Sequence, residues 1–266
     1  MSEAPKHNPF SHLMRALDAD SVMGGGVKIV QPKTGYRAAI DPVLLAAAAD
    51  VKSGQTVLDV GCGVGTVALC VLARMIKSNI APCAITGIDL QPALVTAASE
   101  SAELNQWQDK IRFIAGDIGA GDHGIAHNSI DHIVTNPPYM AAGTADPSPD
   151  PIKAAANIES TADLRRWIEF CTDALRSKGI LTMIHRADRM AEIVQNLRDC
   201  HFHTIHILPI YPKLSADAKR IIVKAVKTPV EQSRILPGLV LHHANGGYTD
   251  AANAILQGRE KISWDE

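Results

Sequence analysis

The sequence predicts an α/β protein: a seven-stranded, mostly parallel sheet with helices on both faces and a final antiparallel hairpin. Three observations carry this. Five apolar runs suited to buried strands (residues 57–60, 85–88, 111–114, 130–135 and 179–184) have helical stretches between most of them. The first, Val57-Leu58-Asp59-Val60, breaks at Gly61, Gly63 and Gly65 and restarts as a helix through Val67, Ala68 and Leu69. Two last runs, 204–208 and 220–226, are joined by a loop too short for a crossover helix, so they pair antiparallel.

Taken in order, residues before about Met23 read as a frayed leader with one helical turn through Leu13, Met14 and Leu17. Gly24-Gly25-Gly26 introduces Val27-Lys28-Ile29-Val30-Gln31, whose alternation suits a strand or hairpin. Residues 1–34 are thus set apart from a main domain of 35–266. An Ala-rich helix runs from Arg37 through Ile40, Val43, Leu44 and Ala46 to Ala49. The helix after the second strand opens with Pro92 near its first turn, where the missing N–H is harmless. Glycines 116, 119, 121 and 124 leave little room for helix between Ile114 and Ile130. Residues 146–151 (Asp-Pro-Ser-Pro-Asp-Pro) read as a loop. The tail has Thr249 as N-cap, a short helix through Ala254 and Leu256, and Gly258 as stop.

Composition bounds the function. Of 266 residues, 46% are hydrophobic and 4% aromatic, so the core is mostly Ala, Val, Ile and Leu. A net charge of −2 gives no global nucleic-acid footprint, and any basic patch is local. Five cysteines without a C-x-x-C spacing indicate neither a disulfide framework nor a zinc site. His201, His203 and His206 lack an evident fourth ligand, so no metal is expected. No apolar run approaches the roughly 20 residues of a membrane span. A polar N-terminus replaces a signal-peptide core, so a cytosolic location is expected. The oligomeric state is left open between a monomer and a weak dimer.

The glycine-rich turn ends a parallel strand and opens a helix, which leaves helix N–H groups facing a crevice. Its spacing is G-x-G-x-G behind Asp59, not the G-x-G-x-x-G of dinucleotide sites. An acid there would repel phosphate and attract an ammonium group, which fits an amino-acid-bearing nucleoside better than NAD. Residues 59–65 resemble the S-adenosylmethionine (SAM) loop of Rossmann-like methyltransferases. Asn136-Pro137-Pro138-Tyr139 resembles the catalytic motif of their amino-methylating branch. The resemblance spans about residues 24–258 and points to the bacterial family that methylates N6 of the adenine beside the anticodon of a valine tRNA. It implies SAM as cofactor, tRNA as partner and the same seven-stranded sheet.

Within that resemblance SAM would lie over Asp59, Gly61, Gly63 and Gly65. Asp89 ends the second strand and can accept both ribose hydroxyls, although an Asp before Pro92 also suits a helix N-cap. Asp117 stands where these enzymes commonly bond the adenine amino group of SAM; beside Gly116 it could equally form a turn. Leu90 and Ile118 adjoin these two acids and complete the set. Tyr36, Arg37 and Asp41 resemble the segment that closes over the methionine end, the alternative being a simple docking helix.

Asn136 offers a side-chain carbonyl and Pro137 a backbone carbonyl as acceptors for the two N–H bonds of a planar amine. Pro137 and Pro138 hold the residues before them extended. Tyr139 gives a flat face for stacking. Release-factor glutamine and ribosomal guanine methyltransferases carry similar motifs. The former add a helical domain ahead of the fold and the latter are often tandem, which favours tRNA adenine here. Lys213, Lys219, Arg220 and Lys224 on the last hairpin are candidate RNA contacts, with Lys28, Lys33, Arg37, Arg186 and Arg189 in reserve; a solvated charged hairpin is the alternative. The segment from Tyr139 to Leu164 is expected to cover the target base. Its Ala155-Ala156-Asn157-Ile158-Glu159 departs from the basic or His residue this family places before the Glu. Trp107, Trp167 and Trp264 look too scattered for a stacking platform.

Overall fold

The computed structural model describes residues 17–32, 40–81, 84–120, 123–139 and 162–265. Val57–Val60 (β3), Ile85–Asp89 (β4), Ile111–Ala115 (β5), Ile130–Thr135 (β6) and Leu175–Arg186 (β7) form the parallel part of one sheet. Phe202–Lys213 (β8) and Arg220–Lys227 (β9) are its antiparallel hairpin, with β9 inserted between β7 and β8. The sheet order is β8-β9-β7-β6-β3-β4-β5. Two short strands not foreseen in the sequence, Arg234–Ile235 (β10) and Leu239–His242 (β11), lie parallel on the outer edge of β8. At two and four residues they are too short to carry a periodic signal.

Each buried strand alternates its side chains between two apolar layers, which is why the runs read as continuously hydrophobic. Val57, Val134, Ile184 and Ile222 join one layer with Asp41–Ala48 (α1), Thr66–Lys77 (α2) and Asp250–Leu256 (α6). Leu58, Ile133, Met183 and Ile221 join the other, with Leu164–Ala174 (α4) and Met190–Asp199 (α5). Pro92–Leu104 (α3) packs on the first side. Thr249 caps α6 by accepting the Ala252 N–H. Trp264 donates its indole N–H to the Ala48 carbonyl and so pins the tail to α1.

The leader reading needs correction at Leu17. Leu17–Val22 (β1) pairs antiparallel with Val27–Pro32 (β2) across a turn in which Met23, Gly24 and Gly25 have positive φ. The alternation of residues 17–22 is short, and only its mate makes it a strand. Leu13 and Met14 lie outside the described residues. Val27 and Ile29 reach the main core, and the Val30 N–H donates to Ser101 Oγ on α3.

Among the described residues between β5 and β6 there is no helix, as the glycines of that stretch led one to expect. The carboxyl ends of β3, β4 and β6 open together on one crevice, since the order reverses on either side of β3.

Gly65 is the α2 N-cap at φ 80°, and a Cβ there would lie 2.6 Å from the Phe113 ring. Gly63 is also at positive φ, but nothing lies within 4 Å of its Cβ position. Gly65→Ala is therefore expected to lose about 2–3 kcal/mol of stability, through backbone strain plus overpacking, against about 1–2 for Gly63→Ala. Urea unfolding of both variants measures this, and equal losses would remove Phe113 from the explanation.

Candidate active site

The loop after β3 is stitched to the neighbouring strand. The Gly61 and Cys62 N–H groups both donate to the Ile88 carbonyl, at 2.9 and 3.0 Å. The Gly63 N–H donates to Asp89 Oδ2 at 2.8 Å. Gly61, Gly63 and Gly65 all have positive φ, which glycine adopts without a Cβ clash. Helix α2 then begins with no side-chain cap and no acidic residue in its first turn. Asp59 Oδ2 accepts the Ala68 N–H of that first turn at 3.1 Å from the buried side, while Thr66 and Val67 line the crevice.

A cavity of about 360 Å³ fills that crevice. Gly61, Cys62, Gly63, Thr66 and Val67 form its floor; Asp89, Leu90, Asp117 and Ile118 form one wall. Asp89 Oδ1 accepts the Gln91 N–H at 2.9 Å, so the carboxylate takes one amide on each oxygen and keeps acceptor capacity on both. Asp89 is not the N-cap of α3, which is Gln91 without a side-chain cap, so the N-cap alternative gives way to a turn that leaves the carboxylate on the cavity wall. Burial raises its pKa, against the two amides that lower it. Asp117 Oδ1 accepts the Gly119 N–H at 2.8 Å, forming the turn foreseen as the alternative, and still lines the cavity.

The opposite wall is Asn136, Pro137, Pro138 and Tyr139, leaving the end of β6. Thr135 fixes that exit: its hydroxyl donates to the Val60 carbonyl and accepts the Trp167 indole N–H, at 2.8 and 2.9 Å. Asn136 Oδ1 is buried and has no hydrogen-bond partner. The Tyr139 hydroxyl donates to Asp41 Oδ2 at 2.6 Å. His185 lies edge-to-face with the Tyr139 ring at 5.3 Å; burial first, and Arg189 nearby, lower its pKa to about 4, so it is neutral.

Several expectations shift. Asp59 is buried beneath the loop and does not line the cavity: Oδ2 accepts the Ala68 N–H at 3.1 Å. Its other oxygen has no partner. Gly65 does not line the cavity either; the space above its Cα belongs to Phe113. Asp41 lies on the rim, and its carboxylate is taken up by Tyr139 and Arg220. Tyr36, Arg37 and the covering segment after Tyr139 up to residue 161, with Ala155 to Glu159, lie outside the described residues. Trp167, set aside as scattered, lines the cavity and packs where a Gly61 Cβ would stand, 2.8 Å from it. No sequence signal could place it, because α4 begins more than twenty residues beyond the motif.

The four basic hairpin residues do not form one exposed face. Lys213 and Lys219 are exposed near the hairpin tip. Arg220 turns into the cavity rim, 3.0 Å from Asp41. Lys224 is half-buried over the Trp264 ring, and burial lowers its pKa. Arg186 pairs with Asp188 and Arg189 with Glu192, so acids offset both. Lys33 lies outside the described residues.

A glycine loop opening a helix, an acid ending the next strand and a preorganised acceptor across the cavity define a group-transfer site on a methyltransferase fold. The chain belongs to the family described as Methyltransferase domain, whose model matches residues 51–226. Relatives have narrower names. The chain is 28% identical over 225 residues to a tRNA1(Val) (adenine(37)-N6)-methyltransferase of Actinobacillus pleuropneumoniae serotype 7 (strain AP76), covering 84% of this chain and 89% of that one. It is 29% identical over 212 residues to the enzyme of the same name from Aeromonas salmonicida (strain A449), covering 79% and 84%. Among solved structures, a predicted O-methyltransferase, protein Atu636 from Agrobacterium tumefaciens, superposes with a TM-score of 0.68 at 20% identity, covering 85% of this chain and all of that one. That last likeness establishes the fold.

Burial, with Asp89 nearby, raises the Asp59 pKa from 3.8 to about 7. The folded state therefore holds a proton that the unfolded chain releases, and stability falls as pH rises from about 4 to about 7. Asp59→Asn cannot titrate. Its stability relative to the wild type is expected to rise by more than about 1 kcal/mol between pH 5 and pH 8. Chemical denaturation at both values measures the difference, and a pH-independent difference contradicts the raised pKa.

Proposed function

We propose that this protein is a SAM-dependent methyltransferase acting on N6 of an adenine in tRNA, the adenine beside the anticodon of a valine tRNA. The observation that carries this reading is Asn136 Oδ1, a buried carbonyl on the cavity wall with no partner of its own. A buried acceptor left unsatisfied is destabilising, which a waiting substrate donor would explain. The relatives' names support tRNA and the N6 position.

The residues fit SAM. Asp89 keeps lone pairs for two ribose hydroxyls, while Leu90, Asp117 and Ile118 flank the place of a purine. The orphaned Thr66 Oγ1 and the start of α2 lie at the other end of the floor. Asp59, one layer down, supports that end through the Ala68 amide it accepts, not by direct contact with the ligand. When bound, SAM supplies an electrophilic methyl group on a sulfonium.

The target base, splayed out of its loop, stacks on Tyr139 and presents its amine to Asn136 Oδ1 and the Pro137 carbonyl. Two acceptors on the two N–H bonds return lone-pair density to a nitrogen otherwise delocalised into the ring. They are fixed in advance by the two prolines and by the Thr135–Val60 and Thr135–Trp167 hydrogen bonds, so they act on charge developing in the transition state. Once methylated the nitrogen is acidic enough to lose its proton to water, and no strong base is required. Neutral His185 is accordingly not assigned as one. Positioning then provides most of the rate.

We take residues 35–266 as the methyltransferase domain, with the hairpin of the preceding segment docked on α3. RNA contact beyond the cavity rests on Lys213 and Lys219. No helix among the described residues is long and apolar enough to cross a membrane, and a tRNA-modifying enzyme works in the cytoplasm.

Asn136→Ala should lower kcat for tRNA methylation about 100-fold or more, with SAM affinity by calorimetry within about twofold of wild type. An unchanged kcat would remove Asn136 from the mechanism.

A further inference from the structure

The Tyr139 ring that the proposed function assigns to base stacking already carries a planar group. The Arg220 guanidinium carbon lies 4.7 Å from the ring centroid. Stacked partners meet at centroid separations of roughly 4.5–7 Å, so that side of the ring has no space for a base while Arg220 stays. The guanidinium is held at the hydroxyl edge of the ring by Asp41, 3.0 Å from Nε, and the same Asp41 oxygen accepts the Tyr139 hydroxyl. Arg220 opens β9, Asp41 opens α1 and Tyr139 follows β6, so three separate elements meet at the cavity rim.

We propose that Arg220 is a displaceable cap on the stacking face of Tyr139: it fills the place of the target base when RNA is absent and is pushed aside when the base enters. This rests on the reading of Tyr139 as the stacking residue. The physical case is the balance of attachments. A guanidinium is flat and cationic, so it covers a π face as a base would. The arginine end of the ion pair is 33% exposed against 13% for Asp41, so the guanidinium has solvent to move into while Asp41 stays in place. Asp41 retains Tyr139 after the exchange, so the ring stays oriented while its cover leaves. The freed guanidinium remains at the rim beside exposed Lys219, two cations within reach of an incoming nucleotide's phosphate.

The test uses 2-aminopurine riboside, a fluorescent planar nucleoside quenched by stacking, titrated into protein whose cofactor side is saturated with S-adenosylhomocysteine. Arg220→Gln is expected to bind the probe about tenfold more tightly than wild type, since the cap no longer competes. Arg220→Lys keeps a cation opposite Asp41 that still covers part of the ring, so its gain should be smaller than that of Arg220→Gln. Adding Tyr139→Ala should abolish the gain, and unchanged S-adenosylhomocysteine affinity in each variant establishes that the fold is intact. Equal or weaker probe binding in Arg220→Gln overturns the cap, as does a gain that survives Tyr139→Ala. Methyl transfer to tRNA by the wild type separates the two readings. N6-methyladenine formed without a probe gain overturns the cap alone, whereas a probe gain without N6-methyladenine keeps the cap and overturns the substrate.

Discussion

Two amides converge on one acceptor, the Ile88 carbonyl, and the geometry of the site follows from that stitch. Gly61 and Cys62 can both reach it only because the chain turns through positive φ at Gly61. The turn brings the Gly63 amide onto Asp89, which holds the carboxylate at the mouth of the crevice. It also places the α2 N-terminus, whose N-cap Gly65 has no side chain to offer, over the cavity floor. The Trp167 ring fills the space a side chain at position 61 would need, and its indole N–H ties α4 to Thr135 and so to the exit of β6. One backbone turn thereby sets both walls, the cofactor side and the acceptor side.

The polar groups around the cavity are paired unequally. Asp89, Thr135, Tyr139 and Asp41 all have partners. Asp59 Oδ1, Thr66 Oγ1 and Asn136 Oδ1 are buried without one. Each such group lowers stability by about 1–3 kcal/mol relative to a satisfied one. A fold accepts this where the missing partner arrives with a ligand, and two of the three atoms belong to cavity-lining residues. The same economy explains why Asp59 holds its proton up to about pH 7: burial without a cation leaves only the Ala68 amide in favour of its charge.

Much of this was legible in the residues. The seven main strands, the antiparallel pairing of the last two, the α6 cap at Thr249, and the place of Asp89 and Asn136 at strand ends all follow from local patterns. Contacts between distant residues were not. Tyr139 and Asp41 are 98 positions apart, and Arg220 and Asp41 are 179 apart, so nothing nearby marks Arg220 as a rim residue instead of a phosphate contact. Gly65 matched a ligand-loop spacing, yet its small size serves Phe113 packing, because spacing does not say which side of a loop is filled. Asp59 matched the same pattern and lies one layer below the cavity for the same reason. Leu17 was read as helical because its strand partner lies across a turn that periodicity does not reach.

The central claim is a methyl group placed on an exocyclic adenine nitrogen. The most direct measurement is transfer from methyl-labelled SAM to tRNA from cells lacking this gene, followed by digestion to nucleosides. The label is expected in N6-methyladenosine, mapped to the position beside the anticodon of valine tRNA. Label in N2-methylguanosine of ribosomal RNA or in a release-factor glutamine, with none in tRNA, would keep Asn136 and Tyr139 as the amine site and contradict the assigned substrate.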